Sequence, residues 1–240
     1  MATEISPPAS IDLTALEHDL GALDLPGALH LMAEHFPGTV AFSTSLGQED
    51  QVITDAIFRN GIDTRVFTLD TGRLFAETYE LIDATRQRYN ARIDVFAPDA
   101  GRVQNLTSQK GFHSFYDSVD NRKECCFVRK VEPLQRALQG ARVWVTGLRA
   151  EQSANRQAMR IVEWDAGYGL IKFNPLIDWT YDAVLDYIRT NNVPDNPLHR
   201  KGFISIGCAP CTRAIEPGED PRAGRWWWES SKKECGLHRS

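Results

Sequence analysis

The chain has 240 residues, with 27 Lys and Arg against 32 Asp and Glu, a formal charge of −5, 42% hydrophobic residues and 25% charged residues. That composition excludes a disordered chain, a collagen or coiled-coil rod and, through its acidic balance, a general nucleic-acid binder, but not a local basic site for a small anion. A chain of this length buries enough apolar surface to fold without disulfide staples, as one domain or a domain plus an extension.

Residues 1–10, with Pro7 and Pro8, read as a loose arm. Helical spacing runs over 12–23 and 26–36, and Pro37-Gly38 stops the second stretch. Thr39 to Phe42 is a short buried strand that enters a small polar loop, Ser43 to Asp50, before a helical pattern over Gln51 to Arg59. Arg65 to Leu69 is the second strand, followed by the turn Asp70-Thr71-Gly72. A helix over about 75–90 puts Phe75, Tyr79, Ile82 and Tyr89 on one face. Arg92 to Phe96 and Arg142 to Thr146 are further strands, the last ending at Gly147.

Strands alternating with helices predict an α/β fold, a parallel sheet flanked by helices, with ligands at the carboxyl ends of the strands. Three turns rich in small and polar residues fall there: 43–50, 70–72 and 147–156. After about 192 the periodicity gives way to Pro, Gly, Arg and Trp. The expected organisation is a helical arm over 1–36, an α/β nucleotide-binding domain over 37–192, and an irregular C-terminal segment over 193–240. No stretch approaches the ~20 apolar residues of a membrane span. The N-terminus lacks the basic start of a secretory signal. The chain is expected in the cytoplasm, with its thiols reduced and no membrane partner.

Reduced thiols make the five cysteines informative. Cys125-Cys126 and Cys208-Ala209-Pro210-Cys211 form two tight pairs, and Cys235 stands alone near the C-terminus. Two such pairs make a four-thiolate metal set. Neighbouring side chains diverge on a helix or strand, so an adjacent pair ligates one centre if the backbone bends or the centre is bulky, which tilts the reading from one zinc ion towards an iron–sulfur cluster. Burial as small apolar residues, or a dithiol redox motif at Cys208 and Cys211, are the other readings. If the segment is helical, Lys130 shares a face with Cys126, four residues away. Cys235 has Lys232, Lys233 and His238 nearby, and positive neighbours favour the nucleophilic thiolate. Arg222 and Arg225, three apart, suit an anionic group, and Trp226-Trp227-Trp228 should pack or bind a partner.

The 43–50 loop follows a strand and opens a helix, a natural anion site. It is neither a Walker A loop nor a Gly-x-Gly-x-x-Gly turn. Arg149 and Arg156 flank Gln152-Ser153 and add a second basic turn on what should be the same sheet edge.

On these residues the chain resembles the assimilatory, thioredoxin-dependent adenylyl-sulfate reductases of the sulfonucleotide reductase family. The matching pieces are Ser43-Thr44-Ser45-Leu46-Gly47, Leu69 to Tyr79, Lys123 to Cys126, Gly147-Leu148-Arg149, Cys208 to Cys211 and Glu234-Cys235-Gly236-Leu237-His238. The combined cysteine motifs are highly specific. The loop alone is not. It looks like a relative of the ATP-pyrophosphatase loop, but reads Ser-Thr-Ser-Leu-Gly where that loop has Ser-Gly-Gly-x-Asp-Ser, which argues against ATP cleavage.

The resemblance implies an adenine nucleotide alpha hydrolase-like sheet with a mobile tail, and a [4Fe–4S] cluster on Cys125, Cys126, Cys208 and Cys211. It implies that Cys235 attacks the sulfur of adenosine 5′-phosphosulfate, AMP leaves, and reduced thioredoxin frees sulfite. The phosphosulfate would meet Lys130, Arg222, Arg225 and His238. The adenosine would lie against Ser43, Ser45 and Gly47, the Asp70-Thr71-Gly72 turn, and Gly147. Relatives form homo-oligomers, and the same is expected here.

Overall fold

The computed structural model describes residues 11–152 and 156–229. They group into two compact units. The first takes residues up to 67, 81–94 and 140–195, and the second takes 68–80, 95–139 and those from 196 onward.

In the first unit two helices precede the first strand. Asp12 caps α1 (Leu13–Gly21) by accepting the Thr14 and Ala15 N–H groups, both at 3.0 Å. Asp24 caps α2 (Leu25–His35) through Gly27 N–H at 2.9 Å. Each carboxylate satisfies helix-start donors that would otherwise lack partners. Then come β1 (Val40–Ser43), α3 (Gln48–Arg59) and β2 (Arg65–Leu69). They are followed by α4 (Ala76–Tyr89), of which residues 81–89 belong to this unit, and β3 (Asp94–Phe96), of which Asp94 does. After the second unit's helices, the chain continues through β4 (Val143–Val145), β5 (Val162–Asp165) and β6 (Leu170–Phe173) to α8 (Tyr181–Asn191).

The sheet order is β3-β2-β1-β4-β6-β5. β1 is parallel to β2 and β4, with Phe42 opposite Val66 and Val145, and β4 is parallel to β6. The expected parallel sheet carries one correction. β5 runs antiparallel to β6, with Trp164 opposite Ile171. The short connection explains it: Asp165 accepts the Gly167 and Tyr168 N–H groups, and Gly169 at φ +67° closes a hairpin that allows no crossover. Met32, Phe42, Ile53, Val143, Phe173 and Val184 have no exposed surface and sit in one core. Burying each such side chain contributes about 1.5–3 kcal/mol.

Two further expectations shift. α3 starts at Gln48 rather than 51, because extended Gly47 ends the loop and Glu49 and Asp50 suit a helix first turn. In α4 the buried positions are Thr78, Leu81, Ile82 and Thr85; of the expected face Ile82 is buried, whereas Tyr79 is 38% exposed.

The second unit holds α5 (Ala100–Lys110), a 3-10 turn at Ser114–Tyr116, α6 (Val119–Cys126), a π turn at Phe127–Val131 and α7 (Glu132–Ala137). Hydropathy patterning reveals none of these. From 196 the described chain has only short 3-10 turns, at Pro197–Lys201 and Ala209–Cys211. Residues 211–213 and 224–226 are laced together by an antiparallel Thr212–Arg225 bridge, Arg213 N–H to Gly224 O at 3.0 Å and Trp226 N–H to Cys211 O at 3.2 Å.

Candidate functional site: a thiol cavity and a strand-end loop

The four paired cysteines come together. Cys125, Cys126, Cys208 and Cys211 line one cavity of the second unit, with Lys130, Arg73, Arg122, Arg129 and Phe115. α6 ends at Cys126 and the next five residues form a π turn, the wide helical irregularity that collects at functional sites. Lys130, in that turn, reaches the same cavity.

The other pair is held from three sides. Ala209 N–H donates to Arg73 O at 2.8 Å, Tyr116 Oη donates to Pro210 O at 2.6 Å, and Cys208 Sγ hydrogen-bonds Thr71 Oγ1 at 3.3 Å. Thr71 belongs to the expected Asp70-Thr71-Gly72 turn. There Gly72 N–H and Tyr79 Oη both donate to Asp70 Oδ1, each at 2.7 Å, and Arg129 donates to Thr71 O at 2.7 Å. Arg129 is buried, and its Nε has no hydrogen-bond partner.

The electrostatics separate the four thiols. Burial opposes ionisation of Cys208, but Lys130, the Thr71 hydroxyl, Arg225 and Arg129 outweigh it and hold this thiol below the ordinary range. Burial pushes Cys211 up to about 12, reinforced by the charges of Cys208, Cys126 and Cys125. Cys125 is raised by burial against the pull of Arg129 and Arg73. The four thiols share one cavity with Arg73, Arg122, Arg129 and Lys130, and they are the side chains that could hold a metal centre. Among the described residues no group of three or more His, Cys, Asp or Glu side chains is placed to hold a metal ion.

Arg225 is 7% exposed. Its Nη1 donates to Ser205 Oγ at 3.4 Å and Ile206 O at 3.3 Å. Arg222, half-buried, donates its backbone N–H to Asp220 at 2.7 Å. Cys235 and His238 lie outside the described residues.

The first unit carries the other expected residues. Ser43 Oγ accepts Trp144 Nε1–H at 2.8 Å. Ser45 donates twice to Asp50 Oδ2, from N–H and from Oγ, both at 2.6 Å. Leu46 between them is 2% exposed with φ +60°, a left-handed backbone rare for a bulky residue and concentrated at ligand-holding turns. Burial pushes Asp50 up to about 6, against the Ser45 hydrogen bonds and with help from Glu49. Gly147 is flush against Asp50: a Cβ there would overlap Oδ1 and stand 3.2 Å from Cγ. Arg149, 4% exposed, donates to Glu49 at 2.9 Å and Glu151 at 3.0 Å and lies over the Tyr181 ring. Arg156 donates to Gln152 Oε1.

Sequence reasoning omits Arg73, Arg122 and Arg129. The available signal was their closeness to motif residues: Arg73 follows Gly72, and Arg122 and Arg129 bracket the cysteine pair.

Fold and cysteine geometry together define an α/β protein of the adenine nucleotide alpha hydrolase-like class with a thiol-lined cavity. The pattern of the phosphoadenosine phosphosulfate reductase domain matches residues 39–214, and the chain belongs to that family. The chain is 55% identical over 202 residues to the adenosine 5′-phosphosulfate reductase of Allochromatium vinosum, covering 84% of this chain and 79% of that protein. It is 50% identical over 231 residues to the protein of the same name from Agrobacterium fabrum, covering 96% and 88%. The crystal structure of a phosphoadenylyl-sulfate reductase from Candida auris, a phosphate complex, superposes with a TM-score of 0.73 at 27% identity, covering 88% of this chain and all of that one. A Candida glabrata FMN adenylyltransferase shares the fold alone, with a TM-score of 0.55, 15% identity, and 99% and 81% coverage. No helix among the described residues is long and apolar enough to cross a membrane.

Proposed function

We propose that this protein reduces adenosine 5′-phosphosulfate to sulfite and AMP, with the dithiol of reduced thioredoxin as donor, in a reducing cytoplasm. The observation that carries this reading is the single cavity shared by Cys125, Cys126, Cys208, Cys211 and Lys130 in a chain of this family. The names of relatives at half identity over most of their length support the unphosphorylated nucleotide as substrate.

The four cysteines fit a [4Fe–4S] cluster: a four-thiol set, spread around a cavity, with cations to offset thiolate charge. When bound, such a cluster supplies fixed charge and order to the cavity wall. The chain's own residues do the rest. Lys130, Arg222, Arg225 and His238 neutralise the phosphosulfate so that an anionic nucleophile can approach. Ser43, Ser45, Gly47, Asp70, Thr71, Gly72, Gly147, Arg149 and Arg156 hold the nucleotide. The Cys235 thiolate attacks the sulfonyl sulfur, the S–O bond to phosphate breaks, and AMP departs with its electron pair. One thiolate of the donor dithiol then attacks Cys235 Sγ. Sulfite leaves with the electrons of the S–S bond, and the second thiol closes the donor's disulfide.

The test is intact mass after anaerobic mixing with adenosine 5′-phosphosulfate or its 3′-phosphorylated form, without thioredoxin. The expected result is a gain of one sulfonate group, faster with the unphosphorylated nucleotide and absent in Cys235→Ser. No gain from either nucleotide, in protein with its metal bound, overturns the proposal.

A further inference from the structure

Arg122 stands one helical turn before Cys126 on α6. Its side chain and that of Glu229 are each 4% exposed. The guanidinium donates from Nε to Glu229 Oε1 at 2.8 Å and from Nη2 to Oε2 at 2.9 Å, a two-point fork that fixes direction as well as distance. The same guanidinium lies 4.5 Å from the Trp226 ring centroid, and Arg122 lines the cavity beside Cys126. One side chain therefore joins the wall of the cysteine cavity, the tryptophan run and the last described residue.

The segment it grips is tightly folded. Trp226 has φ +41°, a left-handed conformation that a bulky residue keeps only when its surroundings enforce it. Glu229 N–H donates to Trp226 O at 2.9 Å and closes the turn. Gly224 and Gly207 let the strands approach: a Cβ on either would overlap the Arg213 carbonyl or the Arg225 guanidinium. A buried ion pair contributes little net stability over an apolar replacement, so its distinctive contribution here is geometry. Cys235 follows Glu229 by six positions, a tether of about 20 Å at full extension.

We propose that the Arg122–Glu229 pair is a positioning device. It holds the root of the C-terminal tail against the Cys126 wall of the cavity and so sets the approach of Cys235 to the substrate sulfur. The proposal rests on the reductase function given above.

The test uses metal-loaded enzyme under anaerobic conditions, with Glu229→Gln and, as a variant that keeps the charge but loses the fork, Arg122→Lys. Amide exchange of peptides covering 224–229 should rise about tenfold or more, with β1 and β4 peptides unchanged. Single-turnover sulfonation of Cys235 at saturating nucleotide should slow about tenfold, while KM stays within about twofold and the visible absorption of the metal site is retained. A parent enzyme that gains no sulfonate overturns the function proposed above. A parent that gains it, beside variants that match its rate or leave 224–229 protected, overturns the latch alone.

Discussion

Gly147 leaves no room for a side chain, and Gly147→Ala tests how the 43–50 loop is built. The added Cβ would overlap Asp50 Oδ1, and stands 3.2 Å from Cγ and 3.3 Å from the Asp50 backbone nitrogen. The carboxylate must move, and in moving it gives up both Ser45 hydrogen bonds. At about 1.5 kcal/mol for each bond to a charged acceptor, that costs about 3 kcal/mol. Repacking a buried side chain adds about 1 kcal/mol. A destabilisation of about 4 kcal/mol lowers Tm by about 12 °C in a chain of this size. Calorimetry or urea denaturation measures it. In an Asp50→Ala background only the backbone contact remains, and the same substitution should cost about 1 kcal/mol. An equal cost in both backgrounds, or a Tm change below about 2 °C, refutes the steric account.

Asp50 itself gives a pH prediction. Its folded pKa, about 6, lies above the unfolded 3.8, so its stabilising contribution is full below about pH 4 and is lost as pH rises through 6. Between pH 5 and 8 the parent should lose about 1.4 kcal/mol relative to Asp50→Asn in parallel urea titrations; no pH-dependent difference refutes this. Asp55, fully buried, accepts from Tyr89 at 2.6 Å, Tyr187 at 2.8 Å and Arg59 at 2.8 Å. Asp55→Ala strands the Tyr89 and Tyr187 hydroxyls, while Arg59, 44% exposed, keeps its bonds to Asn191; the loss should be about 2–4 kcal/mol by urea denaturation, with a loss under about 1 kcal/mol contradicting the network. Tyr116→Phe removes a hydrogen bond from a residue 40% exposed and should cost only about 0.5–1 kcal/mol by the same assay.

The buried strands were legible because unbroken apolar runs such as Val40-Ala41-Phe42 and Val143-Trp144-Val145 have few alternatives between turn residues. The hairpin of β5 and β6 was not. Val162 to Asp165 mixes buried and half-buried positions, and nothing in that pattern states the direction of its partner. α5 and α6 escaped for the opposite reason, since they bury little beyond Leu106 and Arg122 and carry almost no apolar stripe. The cysteines stood out through pair spacing alone. The arginines around them did not, because Arg122 in Val-Asp-Asn-Arg-Lys-Glu reads like any solvated helix residue until the fold buries it.

The π turn after Cys126 acts as a phase shifter. A regular helix turns about 100° per residue, so one surplus residue inside a turn rotates everything downstream by that amount. Here the surplus lies between Cys126 and the apolar residues that follow, so that Lys130, within the turn, lines the thiol cavity while Leu134, Ala137 and Leu138 face inward. A chain shortened by one residue between 127 and 131 regains a regular helix but loses that double alignment. Either the cation swings off the thiol wall, or three apolar side chains swing towards water.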